Sequence, residues 1–177
     1  MIIKLPSFSL VCLMGVSGSG KSTFARQHFR PTEILSSDHF RALVSDDEAD
    51  QSVSRDAFSC LYYLARKRLK HRKLTVIDAT SVHKKARLSL IQMAQKAHCP
   101  AVAVILDLPL ALCLEMNSLR PNRQTPAGVV EKQARQLAES LADLPGEKFF
   151  TTYILRSHQA MDLVKIVFDE EDKKDNS

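Results

Sequence analysis

Short apolar runs alternate with longer amphipathic stretches along nearly the whole chain. The apolar runs are typical of strands, and they cover residues 9–14, 34–36, 74–77, 101–106 and 149–155, with a further short run at 164–168. The run at 101–106 has no polar residue, which is typical of a strand that is buried on both faces of a sheet.

The stretches between these runs place apolar residues three or four positions apart, which predicts helices. In the stretch 53–70, for example, Val53, Ala57, Leu61 and Leu64 share one helix face. A helix that ends near Ala97 is expected to begin with Thr80 or Ser81 as its N-cap. Helices are further predicted from Lys21, around Asp38, over 109–120 with Pro109 in the first turn, and over 128–142.

Alternating strands and helices require crossover connections, and right-handed crossovers place helices on both faces of a parallel sheet. The pattern therefore predicts a three-layer α/β fold with a short parallel sheet. Ligands bind such sheets beyond the carboxyl ends of the strands, where Gly15, Asp38, Asp78 and Asp107 are expected. We expect one domain over residues 1–168 and an acidic, disordered tail over 169–177.

Composition narrows the class of protein. The 177 residues are 45% hydrophobic and 25% charged, which is typical of one globular domain. No apolar run approaches the roughly 20 residues of a membrane span, so we expect no membrane association and a cytoplasmic location. The four cysteines form no CxxC pair, which argues against a zinc site or disulfides and predicts reduced thiols in the core.

The net charge is +5, and residues 66–73 (RKRLKHRK) carry six Lys or Arg residues. Two interpretations remain open for this basic run. The first is the end of a helix, because the helix dipole favours basic residues at the C-terminal end. The second is an RNA-contacting patch, and we place the helix-end interpretation somewhat ahead of it.

The most specific motif is GVSGSGKS, which satisfies GxxxxGK[ST] and stands between a predicted strand and a predicted helix. In this context it predicts a phosphate-binding loop whose backbone amides and helix N-terminus surround a triphosphate. Lys21 is expected to reach the β- and γ-phosphates, Ser22 to ligate Mg²⁺, and Thr23 to extend the site at the α-phosphate. The predicted ATP-binding residues of the loop are Gly15, Val16, Ser17, Gly18, Ser19, Gly20, Lys21, Ser22 and Thr23.

A phosphate-binding loop does not define the reaction, because ATPases, GTPases and kinases share it. The sequence has no NKxD-type guanine signature, no clear AAA-type arrangement and no transporter signature. What remains is a small phosphotransferase.

Asp38 follows the second predicted strand and is expected beside the phosphate-binding loop. A carboxylate there would accept the proton of an attacking hydroxyl, and Arg41, one helical turn later, would hold it ionised and bind an acceptor phosphate. Alternatively, Asp38 caps the helix that contains Arg41. Asp78 is either a carboxylate associated with the metal site or a turn residue. Spacing alone favours reading Arg120 and Arg123 as solvated arginines.

Four segments carry a resemblance to a known family: GVSGSGKSTFARQHF, PTEILSSDHFRALVSDDEADQ, KLTVIDATSV and EMNSLRPNRQ. Together they resemble the kinase module of bacterial polynucleotide kinase-phosphatase, an RNA end-healing enzyme, over residues 9–168. The resemblance implies a P-loop kinase fold with a helical lid, and transfer of the ATP γ-phosphate to the 5′-hydroxyl of RNA or DNA. It also implies that Asp38 is the general base, that Arg41 contacts the acceptor, and that Arg120 and Arg123 are lid arginines that bind ATP.

The chain departs from this family at one lid position, where Met116 stands in place of an arginine. Methionine carries no charge and donates no hydrogen bond, so one expected phosphate contact is missing. Two alternatives therefore stay open: a small-molecule or toxin-like kinase with the same fold, and a weakened, ATP-responsive RNA-binding module. We expect ATP or another NTP as donor and Mg²⁺ as cofactor, and both a monomer and a homodimer stay open.

Overall fold

A computed structural model describes residues 1–121 and 124–169. The strands, in chain order, are β1 (Ile2–Pro6), β2 (Leu10–Gly15), β3 (Ile34–Ser36), β4 (Thr75–Asp78), β5 (Ala101–Leu106), β6 (Thr151–Leu155) and β7 (Lys165–Asp169). The helices are α1 (Lys21–His28), α2 (Ser37–Ser45), α3 (Ser54–Lys70), α4 (Lys84–Lys96), α5 (Leu110–Ser118), α6 (Ala127–Asp143) and α7 (His158–Asp162).

The main sheet has five parallel strands in the order β3-β4-β2-β5-β6. Every residue of β2 and β5 is buried, because these strands lie inside the sheet and helices cover both of its faces. The α/β fold with a parallel sheet and flanking helices is therefore confirmed. Register pairs Gly15 with Leu106 and both Leu13 and Ser36 with Asp78, so the ends of β2, β3, β4 and β5 meet at one sheet edge.

A second, two-stranded parallel sheet pairs β1 with β7. The strand over residues 164–168 was predicted, but β1 was missed. Its signal is the alternation of Ile3 and Leu5, both fully buried, with more exposed neighbours. β7 ends at Asp169, the first residue of the predicted tail, and residues 170–177 of that tail lie outside the described residues.

α4 begins at Lys84, so the prediction that Thr80 or Ser81 is its N-cap is wrong. The backbone carbonyl of Thr80 accepts a hydrogen bond from the amide of Gly15 at 3.1 Å. Ser81 has a φ of 50°, which a helix does not tolerate. The segment after β4 is therefore bonded to the start of the phosphate-binding loop, and the helix begins only at Lys84. Pro109 is the N-cap of α5 and precedes its first turn.

A buried ion pair fixes the end of α6 against α4. The fully buried guanidinium of Arg87 donates to the Glu147 carboxylate, with Nε to Oε2 at 2.8 Å, and to the hydroxyl of Ser140 at 2.9 Å. It also donates to the carbonyl of Val82 at 2.9 Å. α6, which contributes to the candidate site below, is thereby held in one position relative to the sheet.

Three of the four cysteines are buried, as predicted, but Cys60 is exposed on α3, so the prediction that all four lie in the core is wrong. Among the helices of the described part of the chain, none combines the length and apolar character that a membrane crossing requires.

Candidate active site

The phosphate-binding loop joins β2 to α1, as the motif predicts. Gly18 has a φ of 84°, and a Cβ atom there would lie 2.0 Å from the backbone oxygen of Cys113 in α5. Gly20, with a φ of 87°, is the N-cap of α1. Both positions require glycine because L side chains rarely adopt such φ angles. The Ser19 amide donates to the carbonyl of Val16 at 3.1 Å, which closes the loop on itself.

Lys21 is buried and its ammonium group lies against the loop. Its Nζ atom donates to the Val16 carbonyl at 2.7 Å and to the Ser19 hydroxyl at 3.3 Å. The positive charge is thus held beside the amides that the loop presents. This arrangement combines a cation, backbone amides and a helix N-terminus, which is a chemical environment suited to phosphate groups.

A cavity of about 450 Å³ opens beside the loop. It brings together residues that are far apart in sequence, among them Lys21, Ser22, Asp38, Arg41 and Asp78. The proposed nucleotide-binding and acceptor-side residues therefore face the same space. Arg120 lines this cavity as well.

Asp38 and Arg41 form an ion pair on α2, in which Arg41 Nη2 donates to Asp38 Oδ1. Arg41 is buried, and its Nε also donates to the backbone carbonyl of Glu48 at 2.8 Å. Burial lowers the pKa of Arg41, while the nearby carboxylates of Glu48, Asp47 and Asp50 act in the opposite direction. The ordinary arginine value lies so far above neutrality that the guanidinium stays charged.

The alternative interpretation of Asp38, as the cap of its helix, is wrong. The N-cap of α2 is Ser36, and Asp38 lies inside the first turn. Its carboxylate also accepts a hydrogen bond from the Ser37 hydroxyl at 3.3 Å. Asp38 therefore presents its charge at the cavity wall, held by Arg41 and Ser37.

Asp78 ends β4, is buried and lines the cavity together with Ser22. A hydroxyl and a carboxylate at one cavity are the oxygen donors that Mg²⁺ prefers. Within residues 1–121 and 124–169, no group of three or more His, Cys, Asp and Glu side chains is arranged to hold a metal ion on its own. A divalent cation here would therefore take some of its ligands from these side chains and others from the phosphates of a bound nucleotide.

A second cavity of about 430 Å³ also borders the loop and shares Ser22, Asp38 and Arg120 with the first. Gly18 and Met116 line this second cavity, so Met116 lies beside the phosphate-binding loop. The other predicted lid arginine, Arg123, lies outside the described residues.

The side chain of Asn117 in α5 forms hydrogen bonds with the segment that follows Arg120. Asn117 is buried, and its Nδ2 atom donates to the carbonyl of Thr125 at 2.7 Å, while the Thr125 amide donates to Asn117 Oδ1 at 3.1 Å. This paired contact links Thr125 to Asn117 near the end of α5. We call residues 116–121 and 124–126 the lid segment.

Several residues that line the cavity carry no signal in the sequence. Gln133 on α6 accepts a hydrogen bond from the backbone amide of Ser17 at 2.8 Å, which links the phosphate-binding loop to a helix 116 positions later. Gln51, Phe58 and Val129 also line the cavity. No motif marks these residues, because only the packing of α3 and α6 around the sheet edge brings them to the loop.

A strand, a glycine-rich loop and a helix that begins with a lysine, at the edge of a parallel sheet, define a P-loop nucleotide-binding protein. A sequence profile of one family, described as AAA domain (AAA_33), matches residues 10–144. The chain belongs to this family and has a P-loop kinase-like fold. The matched region includes the phosphate-binding loop, the acceptor side and the lid segment.

Solved structures with the same fold include proteins of several activities. A chain of the Pnkp1/Rnl/Hen1 RNA repair complex is 22% identical, with a TM-score of 0.67, over 80% of this chain and 47% of that chain. This chain thus spans about half the length of that one. Kti12 of Chaetomium thermophilum, solved with ADP-AlF3, is 17% identical, with a TM-score of 0.65, over 86% and 93% of the two chains.

A gluconokinase from Sinorhizobium meliloti 1021 is 19% identical, with a TM-score of 0.55, over 89% of this chain and 87% of that one. At these identities the likeness extends to the fold alone. A search of curated proteins finds no match.

Proposed function

We propose that the protein is a polynucleotide kinase that transfers the γ-phosphate of ATP to the 5′-hydroxyl end of RNA or DNA. The observation that carries the proposal is the shared cavity, in which the Asp38 carboxylate faces the same space as Lys21 and Ser22 of the phosphate-binding loop. A protein that only bound nucleotide would have no chemical need for a carboxylate held in that position.

The proposed reaction is an in-line displacement. The 5′-oxygen of the acceptor forms a bond to the γ-phosphorus, the bond from that phosphorus to the β,γ-bridging oxygen breaks, and ADP leaves. Asp38 accepts the proton of the hydroxyl and aligns its lone pair with the phosphorus. Arg41 keeps Asp38 ionised and offers its remaining donors to an acceptor phosphate.

On the donor side, Lys21 and the amides of the phosphate-binding loop neutralise the charge of the β- and γ-phosphates. Ser22 and Asp78 would hold Mg²⁺ or its water ligands, because they supply the hydroxyl and carboxylate oxygens at this wall. When bound, the ion supplies charge neutralisation on the β- and γ-phosphate oxygens. Arg120, which borders both cavities, reaches the transferring group from the lid segment.

A polynucleotide acceptor is favoured by the resemblance of the four sequence segments and by the charged lining of the cavity. Arg41 and Arg120 would both face an incoming phosphodiester. The fold likeness to a chain of an RNA repair complex agrees with this substrate class. The reaction would restore the 5′-phosphate that end joining requires.

A small-molecule hydroxyl is the second candidate acceptor. The fold likeness to gluconokinase covers nearly the whole of both chains, and Asp38 would activate a sugar hydroxyl by the same chemistry. The charged groups Arg41 and Arg120 make an acceptor with phosphate groups the better match.

One assay separates the candidates. The protein is incubated with γ-labelled ATP, magnesium and a 5′-hydroxyl oligonucleotide, and wild type is compared with Lys21→Ala and Asp38→Ala. Label transfer that is lost in both variants is the expected result. No transfer by wild type to RNA or DNA, but transfer to a sugar, would support the small-molecule candidate. ATP and RNA binding without transfer to either acceptor would identify a binding module.

A further inference from the structure

A continuous stripe on α3 leads away from the active-site cavity. Ser54 and Phe58 line the cavity, and Tyr62 and Arg66, each one helical turn further along, line a separate groove between α3 and α4. Residues four apart lie on the same helix face. The ring centroids of Phe58 and Tyr62 are 5.7 Å apart, so a residue that lines the cavity is in ring contact with a residue that lines the groove.

The groove encloses about 530 Å³ and has a distinctive lining. Its charged members among the described residues are three cations, Arg66, Lys70 and Lys96, with no carboxylate. Its apolar lining includes Tyr62 and Met93. We call this surface the basic groove. Cations together with an aromatic ring match a single-stranded nucleic acid, because its phosphates pair with cations and its bases stack on aromatic rings.

The basic run 66–73 divides into two sets in the structure. Arg68 donates to the backbone carbonyl of Leu74 at 2.8 Å, and Arg72 lies over the ring of Phe8, 4.7 Å from its centroid. These two side chains stabilise the fold. Arg66 and Lys70 are exposed and line the basic groove instead. Lys67, Arg68 and Lys70 lie in the last turn of α3, as the helix-end interpretation expects. Arg66 and Lys70 also line the groove, where a ligand could reach them.

We propose that the basic groove binds the acceptor strand downstream of its 5′ end, which rests on the polynucleotide kinase function proposed above. A helix rises about 1.5 Å per residue, so Arg66 and Lys70 lie about 12 and 18 Å beyond Phe58 along α3. At about 3.4 Å per stacked nucleotide, that distance corresponds to roughly four or five nucleotides. A dinucleotide would therefore reach the active site but not the groove.

The test compares 5′-hydroxyl acceptors of 2 and 12 nucleotides in steady-state kinetics. Arg66→Glu combined with Lys70→Glu should raise KM for the 12-mer by about tenfold and leave kcat unchanged. The dinucleotide should be phosphorylated as by wild type. Losing two phosphate contacts should also make the dependence of log KM on log salt concentration shallower by about 1.4, since each single-strand contact contributes about 0.7.

The matched control is Lys67→Glu combined with Lys73→Glu. It makes the same charge change in the same exposed run, at residues outside the groove lining. A 12-mer KM that is unchanged in the groove variant, or raised equally in the control, would overturn the proposal. If the groove binds an acidic protein segment instead, the groove variant would leave KM for the 12-mer unchanged.

A direct binding experiment tests the basic groove separately from the proposed kinase activity. Fluorescence anisotropy of a labelled, 5′-phosphorylated 12-mer measures groove binding without any transfer reaction. Weaker binding by the groove variant, but not by the control, would support the groove even if wild type phosphorylated no oligonucleotide. Equal binding by all three proteins would refute the groove and leave the kinase activity standing.

Discussion

The two walls of the active-site cavity are built in different ways. The donor wall consists of Ser17, Lys21 and Ser22, which belong to one contiguous segment, the phosphate-binding loop of residues 15–23. The acceptor wall combines Asp38 and Arg41 of α2 with Gln51, Phe58 and Val129 from three other places in the chain. The first wall depends on backbone conformation and the second on how helices pack. Substitutions in the two walls should therefore change different kinetic constants.

This difference follows from the ligands that each wall is suited to hold. A triphosphate is a compact polyanion, and a loop of amides at a helix N-terminus is a general solution for binding it. An acceptor hydroxyl must be aligned with one phosphorus atom, so its wall needs particular side chains at particular positions. The donor wall would define the nucleotide, and the acceptor wall would define the substrate.

The largest effect is expected at the donor wall. Lys21→Ala should lower kcat/KM for ATP by about 10³-fold, because it removes a buried cation from the phosphate site. Lys132→Ala, an exposed change on α6, is the control. Label transfer from γ-labelled ATP measures the effect. A loss of less than tenfold would show that the loop amides bind and position the phosphates without Lys21.

The acceptor wall should respond mainly in kcat. Asp38→Asn keeps the shape of the side chain but removes the group that accepts the proton, so kcat should fall by about 10²-fold or more. KM for ATP should change little, because the donor wall is intact. Asp56→Asn, at an exposed carboxylate on α3 outside both cavity linings, is the matched control. An equal rise in KM for ATP would mean that Asp38 serves the donor wall instead.

A pair of glycine substitutions tests the backbone argument. Gly18→Ala should destabilise the protein by about 2–3 kcal/mol and impair ATP binding, because φ is 84° and the new Cβ would meet the Cys113 carbonyl oxygen. Gly128→Ala, inside α6 with open space around it, should stabilise the protein slightly. Thermal unfolding measures both. Similar melting temperatures would contradict the fixed loop conformation.

A substitution in the lid segment should raise activity instead of lowering it. Met116→Arg should raise kcat/KM for ATP by about three- to tenfold, since it places a charged donor beside the phosphate-binding loop. The gain is modest because the side chain is 38% exposed, and solvent screens the charge. Ser118→Arg, on the same helix but outside the cavity lining, is the control. An unchanged or lower value would refute the missing-contact interpretation of Met116.

The smallest effect concerns the thiols. Burial raises the pKa of Cys12 and Cys99, each to about 11, and also raises the pKa of Cys113, which lies behind the donor wall. Fewer reactive thiolates are therefore present near pH 8. A maleimide should label exposed Cys60 first, as intact-mass measurement would show, and all four cysteines only after unfolding. Early labelling of Cys113 would indicate that the donor wall opens.

The sequence by itself determined the positions of the five main strands along the chain, the α/β class and the phosphate-binding loop. These features depend on local patterns: apolar runs, helical spacing and a motif whose residues lie side by side in the chain. The missed strand β1 and the late start of α4 have a shared cause, because both are fixed by distant partners. β1 pairs with β7, and the segment before α4 pairs with Gly15.

Only the tertiary structure decided the composition of the acceptor wall and the two uses of the basic run. Gln133 reaches the loop amide of Ser17 only because α6 is held against the sheet, and no spacing rule connects positions so far apart. Arg66 and Arg68 look alike in the sequence, yet one faces a groove and the other donates to a backbone carbonyl. Local patterns specify elements, whereas the packing of those elements specifies which side chains meet.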